Sequence, residues 1–200
     1  MSRKVLLILL AIALSCALTV SFALRWLYPF GRKAALLPSM WGGLAAYATD
    51  HGGWFPYSAQ GSYPALAKLY YLNYCTETDL AGVSGSIDHS TAALRHQSSL
   101  SGATSWVYFP GLRIDDPGEV AILWERSPGY YWNGKRNFFG GRPVLFANGA
   151  ISNIAAADWP GFLGKQEQLR RSTLHLRIPP TNGTTALDPQ TVSKPSRNEE

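Results

Sequence analysis

The sequence predicts an α+β domain carried on an N-terminal transmembrane helix. A helix packs on a small antiparallel β-sheet, and a disordered C-terminal tail follows. Three observations lead there. Val5 to Leu24, VLLILLAIALSCALTVSFAL, contains no charge, and about 20 apolar helical residues span the hydrocarbon core of a bilayer. Residues 104–154 alternate β-branched and aromatic runs with turn residues, the pattern of strands joined in hairpins. The final stretch, IPPTNGTTALDPQTVSKPSRNEE, is polar and holds four prolines, too little apolar content to offset the entropy of folding. The chain therefore divides into an anchor (1–33), an α+β domain (34–172) and a tail (173–200).

The anchor explains the charge. The chain carries +5 formally, and Arg3, Lys4, Arg25, Arg32 and Lys33 lie in residues 1–33 with no acid among them. The rest of the chain is neutral, its other 13 basic residues matched by 13 acidic ones. A neutral body lacks the basic face that nucleic acid requires. The excess charge flanks the apolar segment, and Trp26 and Tyr28 follow it where interfacial aromatics belong. The lipid bilayer is thus an expected partner, through Val5 to Leu24. The run continues past any small-residue cleavage site, which favours a retained anchor over a cleaved signal peptide. ALSC, ending at Cys16, leaves a lipoprotein signal as an alternative. A body translocated behind a short basic N-terminus is the usual outcome for a first helix. The expected place is the cell inner membrane, single-pass, with the C-terminal domain periplasmic.

After Pro29 and Gly31 break the first helix, a second is expected from about Pro38 to Thr49, with Trp41, Leu44 and Ala48 on one stripe. Gly52-Gly53 end it. A short third helix has Ser62 as its cap, Pro64 in its first turn, and Leu66, Leu69 and Tyr70 on one face. Residues 76–103, rich in Ser, Thr, Gly and Ala, read as a long irregular excursion with a short helix near Ala92 to His96. Strands follow at Thr104–Pro110 and Glu119–Glu125, joined through the turn Asp115-Asp116-Pro117-Gly118. RPVLFA and AISNI flank Asn148-Gly149, and two apolar runs around Asn-Gly signal a two-residue hairpin turn with φ > 0 at both positions. A last helix is expected from Asp158 through Gln166 to Arg171.

The order of these pieces resembles the type IV pilin-like and type II secretion pseudopilin G-like proteins. Three stretches carry the resemblance. LPSMWGGLAAYATDHGGWFP matches the family's pattern at Leu44, Ala45, Tyr47, Asp50, Gly53, Phe55 and Pro56. SWVYFPGLRIDDPGEVAILWE matches at Tyr108, Pro110, Gly111, Leu112, Asp116, Pro117, Gly118 and Glu125. GRPVLFANGAIS matches at Gly141, Val144, Leu145, Phe146 and Gly149. The chain departs from the family at its start: MSRKVLLILL lacks the Gly before the apolar helix and the Glu five residues into the mature chain. Where the family has His, Asp and His around its hairpin, this chain has Phe138, Asn148 and Ala150. The resemblance implies a pilin-like domain without catalysis or cofactor, acting through contacts with other pseudopilin-like or secretion-system proteins.

The candidate sites are sparse. Cys16 lies in the anchor, so Cys75 has no partner in the body and reads as a small buried hydrophobe. His51, His89, His96 and His175 show no metal-ligand spacing. Asp115, Asp116, Glu119 and Glu125 offer no loop of alternating acids for calcium. Turn chemistry accounts for Asp115 and Asp116, and Glu125 is expected to pair with Arg126 or Arg142. GVSGS at Gly82 to Ser86 only shadows a nucleophile elbow, since Gly85 follows Ser84 directly and no strand precedes it. A hydrolase built on Ser84 or Ser90 with His89 or His96, or a ligand-binding module, is the alternative function. The aromatic loop Tyr130-Tyr131-Trp132, with Phe138-Phe139 nearby, is the candidate binding surface, because Tyr and Trp dominate contact hot spots.

Overall fold

Ten elements follow one another along the chain: α1 (Arg3–Leu27), α2 (Leu36–Asp50), α3 (Ser62–Tyr71), α4 (Glu77–Ala81), α5 (Ile87–Arg95), β1 (Trp106–Tyr108), β2 (Ala121–Glu125), β3 (Arg142–Phe146), β4 (Ile151–Ile154) and α6 (Trp159–Leu174). The structure, a computed structural model, describes residues 2–31, 33, 35–95 and 102–174. His96, His175 and the rest of the expected tail lie outside the described residues, whereas Thr173 and Leu174, the expected first residues of that tail, belong to α6.

The α+β class, the long apolar N-terminal helix and the four-stranded antiparallel sheet are as the sequence predicts. The strands pair in the order β1-β2-β3-β4, a meander in which every neighbour is antiparallel. No residue of α1 is buried by the body. The face of α2 formed by Leu37, Met40, Leu44 and Tyr47 is buried and shares one core with Trp106, Ile122 and Leu145 of the sheet. Two polar side chains buried in this core have partners: Trp106 Nε1 donates to the Asp79 carbonyl at 2.7 Å and Tyr108 Oη to the Pro56 carbonyl at 2.7 Å. Cys75 packs half-buried against the same core, and burial pushes its thiol up from the ordinary value.

Four expectations are corrected. Ser62 is the first residue of α3, and Gly61 occupies the cap position without any side-chain cap. The excursion over 76–103 holds two helices, α4 and α5. The first starts from a capping box in which the Thr76 hydroxyl accepts from the Asp79 N–H and Asp79 accepts from the Thr76 N–H. Its Thr-x-x-Asp spacing is the sequence signal, with Asp in place of the usual Glu or Gln. The sheet carries helices on both faces, since α6 packs Trp159 and Phe162 against Ala121, Trp124 and Val144. The Asn-Gly hairpin, finally, is a three-residue loop. The Phe146 N–H donates to the Ala150 carbonyl and the Gly149 N–H to the Phe146 carbonyl, each at 2.9 Å. Gly149 has φ +82° while Asn148 keeps a negative φ. This is a type I turn closed by a left-handed Gly, the commonest three-residue hairpin loop. The Asn148 Oδ1 accepts from the Ala150 N–H at 2.9 Å.

The second face depends on one side chain. The register of β2 against β3 shifts between Ala121 and Leu123, and a bulge leaves a backbone group without its ladder partner. Gln166 of α6, buried, fills that gap. Its Oε1 accepts from the Ala121 N–H at 2.8 Å and its Nε2 donates to the Glu119 carbonyl at 2.9 Å. Gln166→Leu keeps much of the bulk and orphans both backbone groups. It is expected to cost about 2 kcal/mol in equilibrium unfolding; a neutral result would show that the bulge tolerates unpaired groups.

Candidate functional site

The exposed and chemically distinctive residues gather where α1 meets the body. The loop RSPGYYWNGKRNFFGG, residues 126–141, folds back on itself between β2 and β3. Tyr130 bridges Arg136 in antiparallel fashion, the Tyr131 N–H donates to the Lys135 carbonyl at 2.8 Å, and the Gly134 N–H returns to the Tyr131 carbonyl at 2.9 Å. Gly134 is required there twice over. Its φ is +82°, and a Cβ would stand 2.7 Å from the Gly31 carbonyl oxygen.

This loop caps the C-terminal end of α1. The last carbonyls of a helix have no intrahelical donors. The Arg136 N–H donates to the Leu27 carbonyl at 2.8 Å, and its Nε donates to the Trp26 carbonyl at 3.1 Å. The guanidinium lies over the Trp26 ring, 5.7 Å from its centroid, and its charge suits the negative end of the helix dipole. Phe138 packs on Trp26 at 5.1 Å between centroids. Phe30 meets Tyr130 edge-on at 5.0 Å. The Lys33 N–H donates to the Asn133 carbonyl at 3.1 Å.

Of the three expected binding residues, Tyr130 faces the linker and the core, Tyr131 is half-buried, and Trp132 is exposed at the loop's tip. The loop thus holds a structural contact on one side and exposed rings on the other. Sequence reasoning found the aromatics and missed Arg136, whose role depends on a helix end more than 100 residues upstream.

Beneath the loop lies a buried carboxylate. Glu125 ends β2 with no exposed surface. Its Oε1 accepts from Ser84 Oγ at 2.6 Å, and its Oε2 from Ser105 Oγ at 2.7 Å and the Val83 N–H at 3.1 Å. Glycines let the Gly82–Ser86 turn come this close. Gly82 has φ +83°, and a Cβ on Gly85 would overlap the Ala81 carbonyl oxygen. Burial raises the Glu125 pKa against the opposing pull of these hydrogen bonds. Lys33, in the linker, reaches the Gly82 carbonyl with its Nζ at 3.4 Å. Burial lowers its pKa, and the Glu125 charge opposes that.

The expected partners of Glu125 are corrected. Arg126 bonds the Tyr63 hydroxyl, and Arg142 lies over the Trp159 ring at 4.3 Å. Among the described residues Glu125 makes no ion pair. It acts on Arg142 only through space, against the lowering by burial. Two arginines pointing into other layers of aromatic packing cannot be recognised from their neighbourhood in sequence.

The remaining candidates are engaged structurally. Asp116 accepts from the Arg113 N–H at 2.7 Å, and Asp115 pairs with Arg113 Nε at 2.8 Å, as turn chemistry implies. His51 stacks on Tyr47 and bonds its carbonyl at 2.8 Å. His89 is exposed on α5. Ser90 Oγ donates to the Ala103 carbonyl at 2.7 Å, and Ser84 Oγ to Glu125, so neither hydroxyl bonds a described histidine. Among the described residues no three His, Cys, Asp or Glu side chains group as a metal site. Comparison with known proteins finds no matching family model, no matching curated protein and no matching solved structure.

Proposed function

We propose that this chain is a non-catalytic, membrane-anchored pseudopilin-like protein that works by protein–protein contact at the periplasmic face of the inner membrane. The observation that carries the reading is the combination of α1 and the loop clamped to its end. α1 is a helix of 25 residues with no buried residue, and its uncharged run Val5 to Leu24 is long enough for a bilayer. The body is tied to its last turn through Arg136, so contacts made by the body are made close to the membrane. The resemblance through residues 37–154 supplies the type II secretion or type IV pilus-like setting. The buried face of α2 packs on the antiparallel sheet and makes a folded body behind α1. Ser84 and Ser105 donate their hydroxyls to Glu125, a structural use of these groups that this reading accommodates.

A photocrosslinking residue in place of Trp132, in cells, tests the reading. Adducts with a pseudopilin-like or secretion-system protein are expected. Recovery of monomer alone would count against contact through this loop. Mass spectrometry of the native N-terminus is expected to find Met1 or Ser2, whereas diacylglycerol on Cys16 would replace the helical anchor by a lipid one.

A further inference from the structure

We propose that the turn Asn137–Gly140 is a second membrane contact, which inserts Phe138 and Phe139 into the lipid interface beside the end of α1. The proposal rests on α1 crossing the bilayer. Its first support is the turn itself. The Gly140 N–H donates to the Asn137 carbonyl at 3.1 Å, and the Phe139 N–H to Asn137 Oδ1 at 3.0 Å. Asn137 is buried and Gly140 has φ +70°. The backbone is therefore a fixed β-turn, and its two central positions, usually polar or Gly and Pro, are both Phe. Phe138 is 60% exposed, within the range of the large apolar side chains of α1, and Phe139 is 82% exposed, above all of them. A rigid turn that displays two rings gains nothing from water.

The second support is position. The uncharged segment ends at Leu24, and Leu27 lies about 4.5 Å further along the helix axis. Arg136 bonds the Leu27 carbonyl and Phe138 stacks on Trp26. The turn is thereby held at the level of the lipid headgroups, where aromatic rings are stabilised. The third support is charge. Residues 126–141 hold Arg126, Lys135 and Arg136 with no acid, and Arg25 lies in the last turn of α1. Basic groups beside apolar rings suit a surface containing anionic lipid. A pendulous body would swivel on one helix; two contacts fix which face it turns to its partners.

The test uses the full chain in vesicles of phosphatidylcholine and phosphatidylglycerol, with an environment-sensitive fluorophore on one cysteine at a time. In one protein the label sits on native Cys16, with Cys75 replaced by Ser. In another it sits on Phe139→Cys, with Cys16 and Cys75 replaced. Lipids brominated at shallow or deep acyl positions serve as quenchers. The Cys16 label is expected to lose emission to deep bromines, which reports α1 in the bilayer. The Phe139→Cys label is expected to shift to the blue and lose emission chiefly to shallow bromines. Quenching at Cys16 with a water-like, unquenched label at position 139 overturns the proposal and leaves the anchor standing. A blue-shifted label that no brominated lipid quenches also overturns it, since protein then covers the turn. Loss of quenching at Cys16 overturns the anchor and the proposal together. Phe138→Ser, with the label at 139, is expected to weaken shallow quenching while leaving Cys16 quenching unchanged.

Discussion

Glu125→Ala is expected to destabilise the body by on the order of 4 kcal/mol. The substitution removes the acceptor for two hydroxyls and two backbone N–H groups at a site with no exposed surface. Orphaned buried donors cost about 1–3 kcal/mol each, and the lost volume adds a cavity. The Gly82–Ser86 turn would also lose its tie to the sheet, and Lys33 its compensating charge. Glu125→Gln provides the control. An amide keeps one acceptor oxygen, and serine hydroxyls can rotate to accept from its Nε2. It should cost well under half as much. Urea unfolding of the full chain in detergent measures both. Equal losses for Ala and Gln would mean that the negative charge, rather than the hydrogen bonds, holds the turn.

The pH dependence separates these contributions further. Burial raises the folded pKa of Glu125 above its ordinary value near 4.5. As pH rises through that ordinary value, the unfolded chain loses the proton first. The unfolded state then binds fewer protons than the folded one, and stability falls with rising pH until the folded carboxyl also ionises. The contribution is therefore greatest below the ordinary carboxylate range and is lost above it. Glu125→Gln should flatten this segment of the stability curve. A native curve that climbs through the same window, with the climb absent in Glu125→Gln, would reverse the sign argued here.

Local chemistry was legible in the sequence, and long-range partnership was not. The uncharged run Val5 to Leu24, the stripe on α2 and the Asp115–Gly118 turn each announce themselves within a dozen residues, because period and turn chemistry are local. α4 was legible in kind through Thr76 and Asp79, yet the low apolar content around it argued for loop. The covering of both sheet faces escaped because Trp159 and Phe162 sit on a helix with no strong stripe; only the contact with Trp124 shows which way they face. Glu125 is the clearest case. A Glu closing the apolar run AILWE invites an arginine partner, and two arginines lie near in sequence. Its shortest bonds come from Ser84 in a glycine turn about 40 residues upstream and from Ser105, just before the neighbouring strand β1; only the long bond from the Ser127 N–H is local. The junction likewise depends on Arg136 meeting Trp26 across 110 residues, a pairing set by tertiary packing alone.

The hairpin at Asn148-Gly149 shows how two adjacent turn residues can carry unequal burdens. Gly149→Ala is expected to cost about 3 kcal/mol, and Asn148→Asp less than about 1 kcal/mol. Gly149 holds φ +82°, where a Cβ costs about 1–2 kcal/mol. That Cβ would also stand 2.5 Å from Cε2 of the Trp41 indole, a large side chain of α2 wedged against the core, so overpacking adds to the strain. Asn148 has a negative φ and uses only its Oδ1, as acceptor from the Ala150 N–H. A carboxylate supplies the same oxygen. The two substitutions compared by urea unfolding thus ask whether the turn is held by backbone geometry or by side-chain chemistry. Adding Trp41→Leu to Gly149→Ala removes the clash but not the strain. The pair should be less destabilising than the sum of its members, since the two residues touch. Additive losses would place the whole cost of Gly149→Ala in the backbone, and a loss no larger than that of Asn148→Asp would refute the left-handed glycine as the reason for Asn-Gly at this turn.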